Sequence, residues 1–167
     1  MRITAIATAG LLAAAAVAVA TQAAATPADI SVVVGARLQV KAQETLGVRE
    51  VDDLAQQLRK NVAERLAKSG AYDGARIELV LVDATPNHPT FKQLSDRPGL
   101  SLRSFGIGGA TIEGRAVSPD GQVTPLRYSY TEPDIRFAHG MSTWGDAEET
   151  FQLFADELGR GKAPGAR

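Results

Sequence analysis

The chain has 167 residues, no cysteine and a formal net charge of −1. That balance supplies no net positive field to draw in nucleic acid or anionic lipid. The missing cysteines remove disulfides, thiolate catalysis, iron–sulfur clusters and cysteine-ligated zinc.

Met1 and Arg2 make a short positive start, and Ile3 to Ala20 then run without a charge. The run ends at Thr21-Gln22-Ala23-Ala24-Ala25, where small residues stand at the spacing a signal peptidase reads. The pattern predicts a secretory signal peptide over residues 1–25, cleaved after Ala25. The apolar run reaches the lower limit for a membrane span, roughly 17 residues. It is Ala-rich, however, and the next positive residue is Arg37, so no stop-transfer cluster follows. We therefore expect no stable membrane span after cleavage and a periplasmic or secreted location. A bacterial lipoprotein anchor needs a cysteine at the cleavage point, which this chain lacks. Residues 26–159 are expected to form a single α+β domain, followed by a disordered tail over 160–167.

Asp29 to Val34 is a β-branched run closed by Gly35 and reads as a buried strand. Residues 36–49 are ambiguous, since Leu38 and Val40 alternate with polar residues and could extend that strand. Glu50 to Ser69 is the clearest helix: Val51, Leu54, Ala55, Leu58, Val62 and Leu66 form one apolar stripe. Its first turn is acidic, its last turn basic, and Gly70 supplies the stop. Arg76 to Asp83 reads as a central strand, because both of its faces are apolar. Thr85 to Thr90 is a loop with two prolines, and Phe91 to Pro98 reads as irregular or a short turn.

Leu100 to Phe105 is expected to be a strand. Ala110 to Val117 and Gln122 to Tyr130 form a hairpin around Pro119-Asp120-Gly121. A three-residue loop pairs Ser118 with Gln122 and fixes the register. Large residues then face small ones (Leu126 opposite Gly114, Tyr128 opposite Ile112, Tyr130 opposite Ala110), and the other face pairs Glu113 with Arg127 and Thr111 with Ser129. Pro125 donates no ladder bond, which places the last strand at an edge or a bulge. Asp146 to Leu158 closes the chain as a helix, with Asp146 and Glu149 spaced as a capping box and Ala147, Phe151, Phe154, Ala155 and Leu158 as its buried stripe. The element order is thus β-α-β-β-β-β-α. It predicts a two-layer α+β sandwich: a mixed, mostly antiparallel sheet with two helices on one face.

Motifs for chemistry are sparse. Gly109 and Gly114 have phosphate-loop spacing, but Arg115 stands where a Lys is needed and Ala116 where a hydroxyl is needed. Neither histidine, His88 nor His139, has a partner at helical metal spacing, so no metal site and no cofactor are expected. Asp83 and His88 could meet at the end of the central strand, and no G-x-S-x-G elbow is present. Trp144, the sole tryptophan, reads either as an anchor for a partner or as a staple on the helix it precedes.

Asp83 to Thr90, Gly108 to Gly114 and Thr143 to Ala147 together resemble segments of a group of uncharacterised exported proteins of Gram-negative bacteria. The resemblance implies a periplasmic or envelope setting and carries no functional residue across. The reading is a non-catalytic binding or envelope-associated module, with Asp83, Asn87, His88 and Trp144 as candidate contact residues. Its partner would be an unknown protein or small molecule of the cell envelope. The alternative is a small periplasmic hydrolase using Asp83 and His88. The chain itself would be a monomer or a weak dimer, joined by edge pairing of an exposed strand.

Overall fold

The computed structural model describes residues 29–165. The expected signal peptide and residues 166–167 lie outside the described residues. Within them the chain is α+β, with one four-stranded mixed sheet and five α-helices. No described helix is long and apolar enough to cross a membrane.

The strands are β1 (Asp29–Val34), β2 (Arg76–Thr85), β3 (Gly109–Val117) and β4 (Val123–Thr131), in that order across the sheet. β1 lies parallel to β2, and the other pairs are antiparallel. The parallel pair needs a crossover, supplied by α1 (Ala36–Lys41), a π-helical turn (Ala42–Leu46) and α2 (Val48–Ser69). The segment 36–49 is thus helical rather than an extension of β1. Two short helices follow, α3 (Phe91–Asp96) and α4 (Ile135–Ala138), and α5 (Gly145–Gly159) closes the fold.

The six expected stripe residues of α2 are its buried residues, and Gly70 N–H closes the helix on Leu66 O. Ile77, Leu79 and Leu81 of β2, Ile112 of β3, and Leu126 and Tyr128 of β4 join the α2 and α5 stripes in one core. The hairpin has the expected register throughout, with Glu113 opposite Arg127 and Tyr128 opposite Ile112. Gly121 takes the positive-φ position (φ 86) in the loop, and Ser118 N–H donates to Gln122 O. Arg127 pairs with Glu113 at 3.4 Å on the polar face of the sheet.

The short helix α4 was not expected, and four further elements differ from expectation. Leu100 to Phe105 is not a strand. Its serines turn the backbone instead: Ser104 N–H donates to Ser101 O, and Ser101 N–H to Ser104 Oγ. Phe91–Asp96 is a helix because Thr90 and Gln93 form a reciprocal capping box. β1 is an edge strand rather than a buried one, with Val33 57% exposed. One face, that of Ile30, Val32 and Val34, packs toward the core, and the other, that of Asp29, Ser31 and Val33, is exposed. The stretch after α5, expected as frayed coil, is irregular through Gly165 but docked: Arg127 N–H donates to Pro164 O, and Tyr72 OH to Lys162 O.

The two edges of the sheet are closed differently. β4 bonds inward to β3 through its even-numbered residues, in step with the Ser118–Gln122 pair, so Pro125 and Arg127 face outward. Pro125 therefore forfeits no ladder bond, and the outward N–H of Arg127 is taken by the tail.

Candidate functional site

β2, β3 and β4 meet at one end of the sheet, where Thr85 pairs with Gly109 and Gly109 with Thr131. The two long connections, 86–108 and 132–144, both leave from that end. The candidate residues Asn87, His88 and Trp144 lie on them, and Asp83 lies just before the first.

Asn87 is the hub of this end. It is buried, and so is Asp146 in the first turn of α5. Asn87 Nδ2 donates to Asp146 Oδ2 at 2.6 Å, and Asp146 N–H returns a bond to Asn87 Oδ1 at 2.9 Å. Gly108 N–H also donates to Asp146 Oδ2, at 2.8 Å. The Asn87 backbone takes part as well: its N–H donates to Thr143 O, and its C=O accepts from Gly106 N–H. Through side chain and backbone together, one residue thus joins the start of the first connection, its end, and the end of the second. Gly108 is required by this packing, since a Cβ there would stand 2.6 Å from Asn87 Oδ1. A buried carboxylate needs compensation, and here it comes from two N–H donors and the N-terminal dipole of α5.

Asp146 therefore does not form the expected capping box with Glu149. Trp144 occupies the N-cap and offers no side-chain cap bond. Trp144 is only 8% exposed, and its indole Nε1–H donates to Glu50 Oε2 at 3.1 Å. Glu50 Oε1 accepts from Phe91 N–H at 3.0 Å. A carboxylate from the first turn of α2 thereby ties down α3 and the start of α5 together.

His88 and Asp83 have separate partners. His88 Nδ1 lies 2.9 Å from Ser104 O, and Asp83 Oδ1 accepts from Lys41 Nζ at 2.6 Å. The His88 ring lies 6.3 Å from that of Phe105, which meets His139 edge-on at 5.3 Å. Asn87, His88 and Phe105 line a cleft of about 260 Å³ with Arg97 and Leu100. Among the described residues no group of three metal-ligating side chains converges. On the second connection, the Glu132 carboxylate accepts from Tyr130 OH at 2.8 Å and, with burial, pushes that phenol up to about 12. Arg136 donates to Asp134 and holds its carboxyl below the usual range.

Over this polar framework the connections expose large apolar side chains. Phe91 is 80% exposed, Leu102 75% and Phe137 65%, and Phe105 and Ile135 are exposed too. Leu102 and Phe105 were assigned to a strand by the sequence pattern, which hid their role as surface. Arg97 and Arg103 stand exposed on the same connection with no ion-pair partner among the described residues. Comparison of the chain with family models, curated proteins and solved structures yields no match. The functional reading therefore rests on this geometry.

Proposed function

We propose that the protein is an exported, non-catalytic binding module of the cell envelope, a two-layer α+β sandwich that uses the loop end of its sheet for recognition. The observation that carries this reading is the pairing of exposed apolar side chains with a rigid polar support. Phe91, Leu102, Phe105, Ile135 and Phe137 are exposed on segments that Asn87, Asp146 and Glu50 hold in place. Exposed apolar clusters rimmed by polar residues mark interaction sites, and a preorganised surface loses little entropy on binding. Arg97 and Arg103 fit a protein partner whose apolar patch is fringed by carboxylates. The expected signal peptide over residues 1–25 and the resemblance to exported proteins support a periplasmic or secreted setting.

Site-specific photocrosslinking in producing cells tests this reading. A photoreactive phenylalanine analogue at Leu102 or Phe137 is expected to capture one protein in high yield. The same analogue at Val123, exposed at the far end of β4, is expected to capture none. Equal capture at all three positions, or none at the loop end, would refute it.

A further inference from the structure

A groove of about 570 Å³ runs beside β1, away from the loop end. Val32 and Val34 form one wall, Ala42, Val51 and Ala55 the other. Asp29 N–H donates to Ala75 O and Gly35 N–H to Leu81 O, so the odd-numbered residues of β1 bond inward to β2. Ile30, Val32 and Val34 therefore turn their backbone groups away from the sheet. Two of these are covered within the chain: Arg59 Nε donates to Ile30 O at 3.0 Å, and Gln39 Nε2 to Val34 O at 2.9 Å. Among the described residues nothing bonds the outward N–H and C=O of Val32, midway between them.

The charges beside this strand are arranged as complements of each other. Asp52 and Arg59 both line the groove from α2, seven residues or about 10 Å apart along the helix. α2 runs antiparallel to β1, so Arg59 sits at the Ile30 end and Asp52 toward the Val34 end. The span from Ile30 to Val34 is about 13 Å. Neither charge has an ion-pair partner among the described residues.

We propose that two copies of the chain pair through β1, antiparallel, about a two-fold axis at Val32. The two Val32 residues then exchange both N–H···O=C bonds. Ile30 of each copy lies opposite Val34 of the other, and Asp52 of each comes beside Arg59 of the other. This is the self-complementarity that a two-fold interface requires. The four-stranded sheets join into one, and the apolar groove walls face each other across the seam. The β4 edge is excluded from such pairing by Pro125 and the docked tail.

Sedimentation velocity on the full chain, from micromolar to millimolar concentration, is expected to show a reversible monomer–dimer equilibrium. Val32→Pro removes the outward N–H and no inward ladder donor, at a side chain that is only partly buried, so it should keep the fold by circular dichroism and weaken the dimer by at least about tenfold. Asp52→Arg, on the helix surface, should weaken it comparably. A mixture of Asp52→Arg and Arg59→Asp chains should associate more tightly than either alone, because only the mixed dimer restores both ion pairs. The chain is free of cysteine. A single Val33→Cys should therefore crosslink between copies with a short bifunctional maleimide, since the two positions lie diagonally across the seam. A monomer at every concentration, a dimer indifferent to Val32→Pro, or a mixture no tighter than its components would overturn the proposal. Occupation of the edge by an extended peptide, or by the chain's own residues before Asp29, would appear as one of these results.

Discussion

The loop end of the sheet and its β1 edge treat polar groups in opposite ways. At the loop end the polar atoms of Asn87 and the bonded oxygen of Asp146 are satisfied from within the chain, and apolar side chains are left outside. At β1 Val32 and Val34 are half covered, and it is the outward backbone of Val32 that is left without a partner among the described residues. Internal satisfaction of buried polar atoms fixes a unique conformation, because a missing bond there costs the full desolvation of the orphaned group. An unbonded edge costs little while water solvates it, and it retains the capacity to pair. The first region is built to hold a shape, the second to accept a strand.

The largest expected effect comes from breaking the loop end. Asn87→Ala removes one donor to the Asp146 carboxylate and the acceptor for Asp146 N–H, all in a buried site. A loss of about 3 kcal/mol of folding stability is expected by urea unfolding. Stability within about 0.5 kcal/mol of the parent would place water, not protein, as the effective partner of Asp146 and dissolve the contrast. Glu50→Ala is a milder version, expected at about 1–2 kcal/mol, since it releases Trp144 Nε1–H and Phe91 N–H while their surroundings are partly open to solvent. Trp144 is the only tryptophan, so its emission reports the change directly: a red shift and easier quenching are expected in the folded variant.

These two sites mark where sequence reasoning succeeded and where it stopped. The α2 stripe, the α5 stripe and the hairpin register were legible because each is fixed by residues near in sequence and repeating at a helical or strand period. The bulged turn of 119–121 was legible because only one loop length sends Arg127 to Glu113 and not into the apolar set. The hub was not legible. Asn87 and Asp146 are 59 residues apart, and Asp146 is followed by Glu149 at a spacing that imitates a cap. The side chain that would have formed the cap is drawn away by a buried partner stronger than the helix terminus. The strand expected over Leu100 to Phe105 fails for the same reason: the segment has no strand to pair with, and its serines bend it. The expectation of a buried β1 fails because a β-branched run looks alike in the middle of a parallel sheet and at an edge with only the Ile30, Val32 and Val34 face covered.

Gln39→Ala sharpens the contrast most economically, because it deletes a hydrogen bond of ordinary length and yet should leave the fold alone. The bond from Gln39 Nε2 to Val34 O is exposed, so water replaces the lost donor, and the change in stability should stay within about 0.5 kcal/mol. The same deletion at the loop end costs several times more. What Gln39→Ala does alter is the edge: it uncovers the carbonyl that, in the paired state, must accept from Ile30 of the second copy. Dimerisation should therefore tighten by about threefold in sedimentation velocity, which corresponds to roughly 0.7 kcal/mol. An amide that instead contributed to the fold would lower the melting temperature and leave association unchanged. Gln39 would then belong with the internally satisfied polar groups of the loop end, and the distinction between a region built to hold shape and one built to pair would lose its basis at β1.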